Sequence, residues 1–109
     1  MAFYTELPIY KDTYHLALKI FELTKDFTKE YKYTLGQDMK RDALQLMRCI
    51  YRVNKSTDKK EPLECFLDEF ELLKLEIRLC VDLKLFSIKK QAMVSELMER
   101  IGKAHWPRC

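Results

Sequence analysis

The fold class this chain of 109 residues predicts is all-α, a bundle of four helices, and three observations predict it. Glycine occurs only twice and proline three times, while Leu, Lys, Glu, Met and Ala, all good helix formers, dominate. Apolar residues recur at alternating steps of three and four along four stretches, and no segment keeps the period of two that a strand requires. Turn formers fall between those stretches. The length suits a single domain, residues 1–109, with helices at about 9–28, 35–54, 62–85 and 87–104.

The opening MAFYTELP should be irregular up to Pro8, whose fixed φ and missing N–H suit a first helical turn. Ile9, Thr13, Leu16, Ile20, Leu23 and Phe27 then form one apolar row, and Tyr10, Tyr14, Ala17 and Phe21 a neighbouring one, together a wide stripe. The block EYKYTLG, residues 30–36, must turn the chain. Thr34 stands three residues before Gln37, the pattern of a capping box, so the second helix should begin at about Leu35. Tyr31 and Tyr33 are expected to lay their rings on the bundle and leave their hydroxyls in water.

The second helix buries Leu35, Met39, Ala43, Leu46, Ile50 and Val53, with Leu44, Met47 and Tyr51 beside them. Its other side is basic: Arg41, Arg48, Arg52 and Lys55 recur at steps of seven, four and three and share one face, and Lys40 lies close by. NKSTDKKEP then forms a loop, with Pro62 suited to the next first turn. In the third helix Leu63, Phe66, Phe70, Leu73, Ile77, Cys80 and Lys84 trace a seam, and Leu67, Leu75, Leu79 and Phe86 add a second apolar strip. A helix apolar on two sides has more than one neighbour, in the bundle or from another subunit.

Ser87 is the expected N-cap of the last helix, which runs through Ile88, Val94, Leu97, Met98 and Ile101 until Gly102 weakens it. The short connection at Phe86 and Ser87 makes the last two helices antiparallel neighbours. Cys49, Cys65 and Cys80 sit among apolar residues and read as buried thiols; Cys109 reads as exposed. With no apolar run of membrane-spanning length and no signal-like start, no membrane association is expected and the location is cytoplasmic.

Catalysis lacks a constellation. There is no glycine-rich phosphate loop, no H-E-x-x-H and no nucleophile elbow, and no motif joins His15 to His105. The Glu-x-x-His pattern of di-iron bundles is missing as well, so neither a metal nor a cofactor is expected. Charge is more informative, because it is segregated. Residues 25–60 hold ten Lys/Arg against five Asp/Glu, and residues 61–86 hold three against seven. The second helix and its flanking loops therefore present a positive face, whose commonest partner is a phosphate backbone, RNA or DNA. The plainer alternative is a solvated helix exterior, or a stripe paired with acids of the third helix.

FTKEYKYTLGQDMKRDAL, then LMRCIYRVN, a charged loop and LKLFS before the last helix resemble the family of small four-helix-bundle proteins that includes Avd. Avd is the accessory variability determinant of diversity-generating retroelements, and the family also takes in proteins encoded in intervening sequences of ribosomal RNA genes. The likeness extends from ELPIYK to the last helix, and EYKYTLG is nearer the Avd branch. It implies an up-down-up-down bundle assembling into a ring-shaped homopentamer, with no catalysis of its own. It further implies binding to a reverse transcriptase and to nucleic acid during mutagenic retrohoming. Lys29, Lys32, Lys40, Arg41, Arg48, Arg52 and Lys55 are the candidate nucleic-acid-binding residues, chosen from the charge stripe. Two departures stand out: Thr28 replaces a proline frequent in the family, and the third helix is acidic. The alternatives are a protein-interaction scaffold and a ribosome-associated bundle protein without direct nucleic-acid binding.

Overall fold

Pro8 opens the first helix at a position where its missing N–H costs nothing. From there the computed structural model, which describes residues 7–103, builds four long helices and one single-turn helix, with no strand among the described residues. They are α1 (Pro8–Thr24), α2 (Lys29–Lys32), α3 (Leu35–Lys55), α4 (Lys60–Asp82) and α5 (Ile88–Gly102). The expectations for residues 1–6 and for His105, Trp106, Pro107 and Cys109 lie outside the described residues.

Every long helix contributes to one core. Leu16 and Ile20 from α1, Met39 and Leu46 from α3, Phe66, Leu73 and Cys80 from α4, and Val94 and Ile101 from α5 are almost completely buried. Each large apolar side chain there contributes about 1.5–3 kcal/mol relative to exposure. The second apolar row expected on the first helix divides: Ala17 is buried, whereas Tyr14 and Phe21 face outward with Leu18. The strip of Leu67, Leu75 and Leu79 on α4 is likewise exposed, and only Phe86 of that set is buried.

Residues 25–36 differ from expectation in detail. α1 ends at Thr24, whose hydroxyl donates to the Ile20 carbonyl at 2.7 Å. Phe27 lies beyond the helix end but stays buried, its ring 6.0 Å from that of Phe86. The capping box does not form. Thr34 has φ −119° and ψ −94°; its hydroxyl accepts no hydrogen bond from the helix it precedes and donates backward to the Glu30 carbonyl at 2.7 Å. The open carbonyls of α2, one turn earlier, compete for that hydroxyl and win it. Tyr31 packs against the core, but Tyr33 is 60% exposed, so only one of the two rings lies on the bundle.

α3 packs closely on α4 and on α1, α1 on α5, and α2 on α3. α4 and α5 approach each other less closely. Between them runs a groove of about 570 Å³ lined by Lys74, Ile77, Arg78 and Val81 on one side and Gln91, Ser95 and Met98 on the other. The cause is local. α4 stops at Asp82 because Lys84 adopts φ 61°, and the N–H groups of Lys84 and Leu85 close back onto the carbonyls of Val81 and Cys80 at 3.0 and 2.8 Å. This is a Schellman ending with lysine where glycine is usual. Lys84 is therefore a terminator outside the helix and no part of the seam, and the connection to α5 is longer than expected. Ser87 then caps α5, its hydroxyl accepting from the Lys90 N–H at 3.2 Å.

Candidate nucleic-acid interface

The basic face depends on where α3 starts and how it is aimed. Gly36, in its first turn, is buried against the corner formed by α1 and α2. A Cβ there would lie 3.2 Å from the Tyr31 carbonyl oxygen and 3.4 Å from both Phe27 and Thr24, so glycine permits a backbone approach that a side chain would oppose. The far end is tied differently. The Lys59 ammonium donates to the carbonyls of Val53 and Ser56 at 2.7 and 3.0 Å, closing the open end of α3 where the helix dipole favours a cation. Sequence reasoning counted Lys59 only as part of the loop charge.

Between these anchors α3 is one unbroken helix, so the spacing of Arg41, Arg48, Arg52 and Lys55 holds all four on one exposed face over about 21 Å. That length matches about six phosphates of one strand at 3.4 Å each. The four are not equivalent. Arg41 is engaged by Asp38 at 3.1 Å and lies 3.9 Å from Asp42. Lys55 rests 5.4 Å from the centre of the Tyr51 ring. The side chains of Arg48 and Arg52, one turn apart, have no ion pair or hydrogen bond among the described residues. Lys40 is half-buried on the flank of α3, and Lys29 and Lys32 belong to α2, where Lys32 lies 6.0 Å from the Tyr33 ring centre. The seven candidates thus divide into a four-residue stripe and three separate flanking cations.

Beneath the stripe lies an acidic pair that sequence reasoning missed. Asp42 of α3 and Glu76 of α4 are both buried, Glu76 to 6% exposure, in the seam between the two helices. Burial, reinforced by a hydrogen bond to Asp42 and by that carboxylate's charge, pushes the Glu76 carboxyl up to about 8, so it holds its proton at neutral pH. Glu69 is raised too, first by burial and then by Asp42. One oxygen each of Glu69 and Glu76 is buried without a hydrogen-bond partner. The signal was present in the heptads. Asp42 interrupts Met39, Leu46 and Cys49 at core spacing, and Glu69 and Glu76 interrupt Phe66, Leu73 and Cys80 in the same way. Among the described residues no group of three or more His, Cys, Asp or Glu is gathered as metal ligands.

The same seam holds the cysteines. The Cys49 and Cys65 sulfurs are 3.0 Å apart near one end, and Cys80 Sγ approaches Met39 Sδ at 3.4 Å near the other, so α3 and α4 run in opposite directions. Cys49 and Cys80 are buried as expected, whereas Cys65 is only half-buried. No helix among the described residues is long and apolar enough to cross a membrane. A family model described as bAvd-like matches residues 7–105. No curated protein and no solved structure matches the chain.

Proposed function

The chain belongs to the bAvd-like family, and from that premise we propose that it is a non-catalytic accessory protein of a diversity-generating retroelement, binding the reverse transcriptase and template nucleic acid. In this reading the chain is one cytoplasmic domain, an up-down-up-down bundle that assembles into a homopentameric ring and supports mutagenic retrohoming. The observation that carries the nucleic-acid role is the pair Arg48 and Arg52, exposed on one face of α3 and, among the described residues, uncommitted to any acid. Two guanidiniums already neutralised by carboxylates would release few counterions from a phosphate backbone; two free ones release them fully.

The test is a salt series. Binding of structured RNA or of DNA should weaken steeply as salt rises, and replacing Arg48 and Arg52 together by alanine should lower the slope of log affinity against log salt by about 1.5–2. Binding that ignores salt, or a slope unmoved by the double variant, overturns this role.

A second reading rests on the exposed leucines of α4, which favour a protein-interaction scaffold without nucleic acid. In that case replacing Leu75 and Leu79 by lysine abolishes partner binding, while mixing the native chain with nucleic acid produces no complex.

A further inference from the structure

The bundle places two thiols within reach of a bond. Cys49 on α3 and Cys65 on α4 are sixteen residues apart in the chain, yet their sulfurs are 3.0 Å apart, about 1 Å beyond the disulfide length of about 2.05 Å. Access to the two is unequal. Cys49 is buried in the seam, whereas Cys65 is only half-buried. Cys80 supplies an internal contrast: it is fully buried and its sulfur neighbour is the thioether of Met39, with which no disulfide can form.

We propose that Cys49 and Cys65 are an oxidative modification site, a dithiol that hydroperoxides convert reversibly into a disulfide bridging α3 and α4. The Cys65 thiolate attacks a peroxide oxygen of hydrogen peroxide, the O–O bond breaks, and a sulfenic acid forms with release of hydroxide, which takes up the proton Cys65 lost and leaves as water. The Cys49 sulfur then attacks the Cys65 sulfur. The S–O bond breaks, the departing hydroxyl leaves with the Cys49 proton as a second water, and the S–S bond closes. Two thiols lose two electrons and two protons, and one peroxide becomes two waters.

The division of roles follows from the surroundings. Burial, with Cys65 and the Glu69 carboxylate adding to it, pushes the Cys49 thiol up to about 12, which makes it slow to form a thiolate and leaves the more exposed Cys65 to meet the oxidant first. Arg52, one turn along α3, acts in the opposite sense and favours the Cys49 thiolate. Because Cys49 lies between Arg48 and Arg52, the bridge also clamps the centre of the basic stripe to its neighbouring helix.

The experiment treats the full chain with dilute hydrogen peroxide, blocks remaining thiols with N-ethylmaleimide after unfolding, and maps tryptic peptides by mass. The expected product joins peptide 49–52 to peptide 61–74 and is lighter than their sum by two hydrogens, while Cys80 is alkylated throughout and dithiothreitol reverses the change. The oxidised chain should also unfold at a higher temperature than the reduced chain, a readout that needs no substitution. In Cys49→Ser the sulfenic acid on Cys65 should persist and be trapped by dimedone, whereas the native chain escapes trapping. Sulfinic acid on Cys65 without a linked peptide overturns the proposal. So does a linkage that forms only between chains, or one that recruits Cys80.

Discussion

Helices α3 and α4 lie side by side and bury similar apolar rows, but their outer faces are chemically opposed. α3 turns Arg41, Arg48, Arg52 and Lys55 to water. α4 turns out Leu72, Leu75 and Leu79, with Leu83 just past its end continuing the line and Leu75 58% exposed. Steps of three and four place those leucines on one line, opposite Phe66, Phe70, Leu73 and Ile77. α3 also exposes Leu44 and Tyr51, expected beside its buried row, but these flank a charged face, whereas the exposed leucines of α4 fall in line. A single exposed leucine needs no explanation, whereas a line of four along one helix marks a surface that association would cover.

The largest effect should come from breaking that difference. Leu75→Lys combined with Leu79→Lys makes the outer face of α4 as polar as that of α3. If the proposed ring forms through this face, light scattering should find its assembly reduced to single chains of 13.2 kDa with helical circular dichroism retained. An unchanged assembly mass would show that the leucines lie outside the contact.

The next effect concerns the seam the two helices share. Glu76 binds its proton more tightly when folded than when unfolded, so its contribution is fully present below the ordinary carboxylate range and is lost as pH rises from there to about 8. Glu69 acts in the same direction. Stability to urea should therefore fall by a few kcal/mol across this window, and Glu76→Gln should flatten most of the fall. A native chain whose urea midpoint rises between about pH 5 and about pH 9 contradicts this account.

Smaller changes probe how each helix is held at one end. Gly36→Val at the start of α3 forces branched carbons against the Tyr31 carbonyl and the Phe27 ring, and should destabilise by about 1–3 kcal/mol in chemical denaturation. Lys84→Gly at the end of α4 relieves a left-handed backbone and should stabilise by about 1 kcal/mol, read as a small rise in melting temperature. The opposite signs distinguish a glycine required by a close approach from a lysine tolerated in a glycine's place.

The four long helices were legible because each carries a periodic apolar row between turn formers. The basic stripe was legible for the same reason, since a straight helix converts steps of seven, four and three into one face. What escaped were choices decided between elements. Thr34 has the spacing of a cap, but only the presence of α2 shows that its hydroxyl has a nearer acceptor. Asp42 and Glu76 look like surface acids one at a time and become a buried pair only when two heptads are laid together. Lys84 looked like the last residue of a seam because its conformation, unlike its spacing, is not written in the sequence.

The groove between α4 and α5 has a consequence for the order of assembly. The antiparallel pair α3 and α4 is joined by residues 56–59 and can form from local contacts, whereas among the described residues α5 has its extensive packing on α1, near the other end of the chain. Closing that contact is the non-local step, so α5 should dock late, onto α1 after α1 has packed on the α3–α4 pair. By the same reasoning it is the helix that detaches first in partial opening of the native fold, leaving the basic stripe on its scaffold.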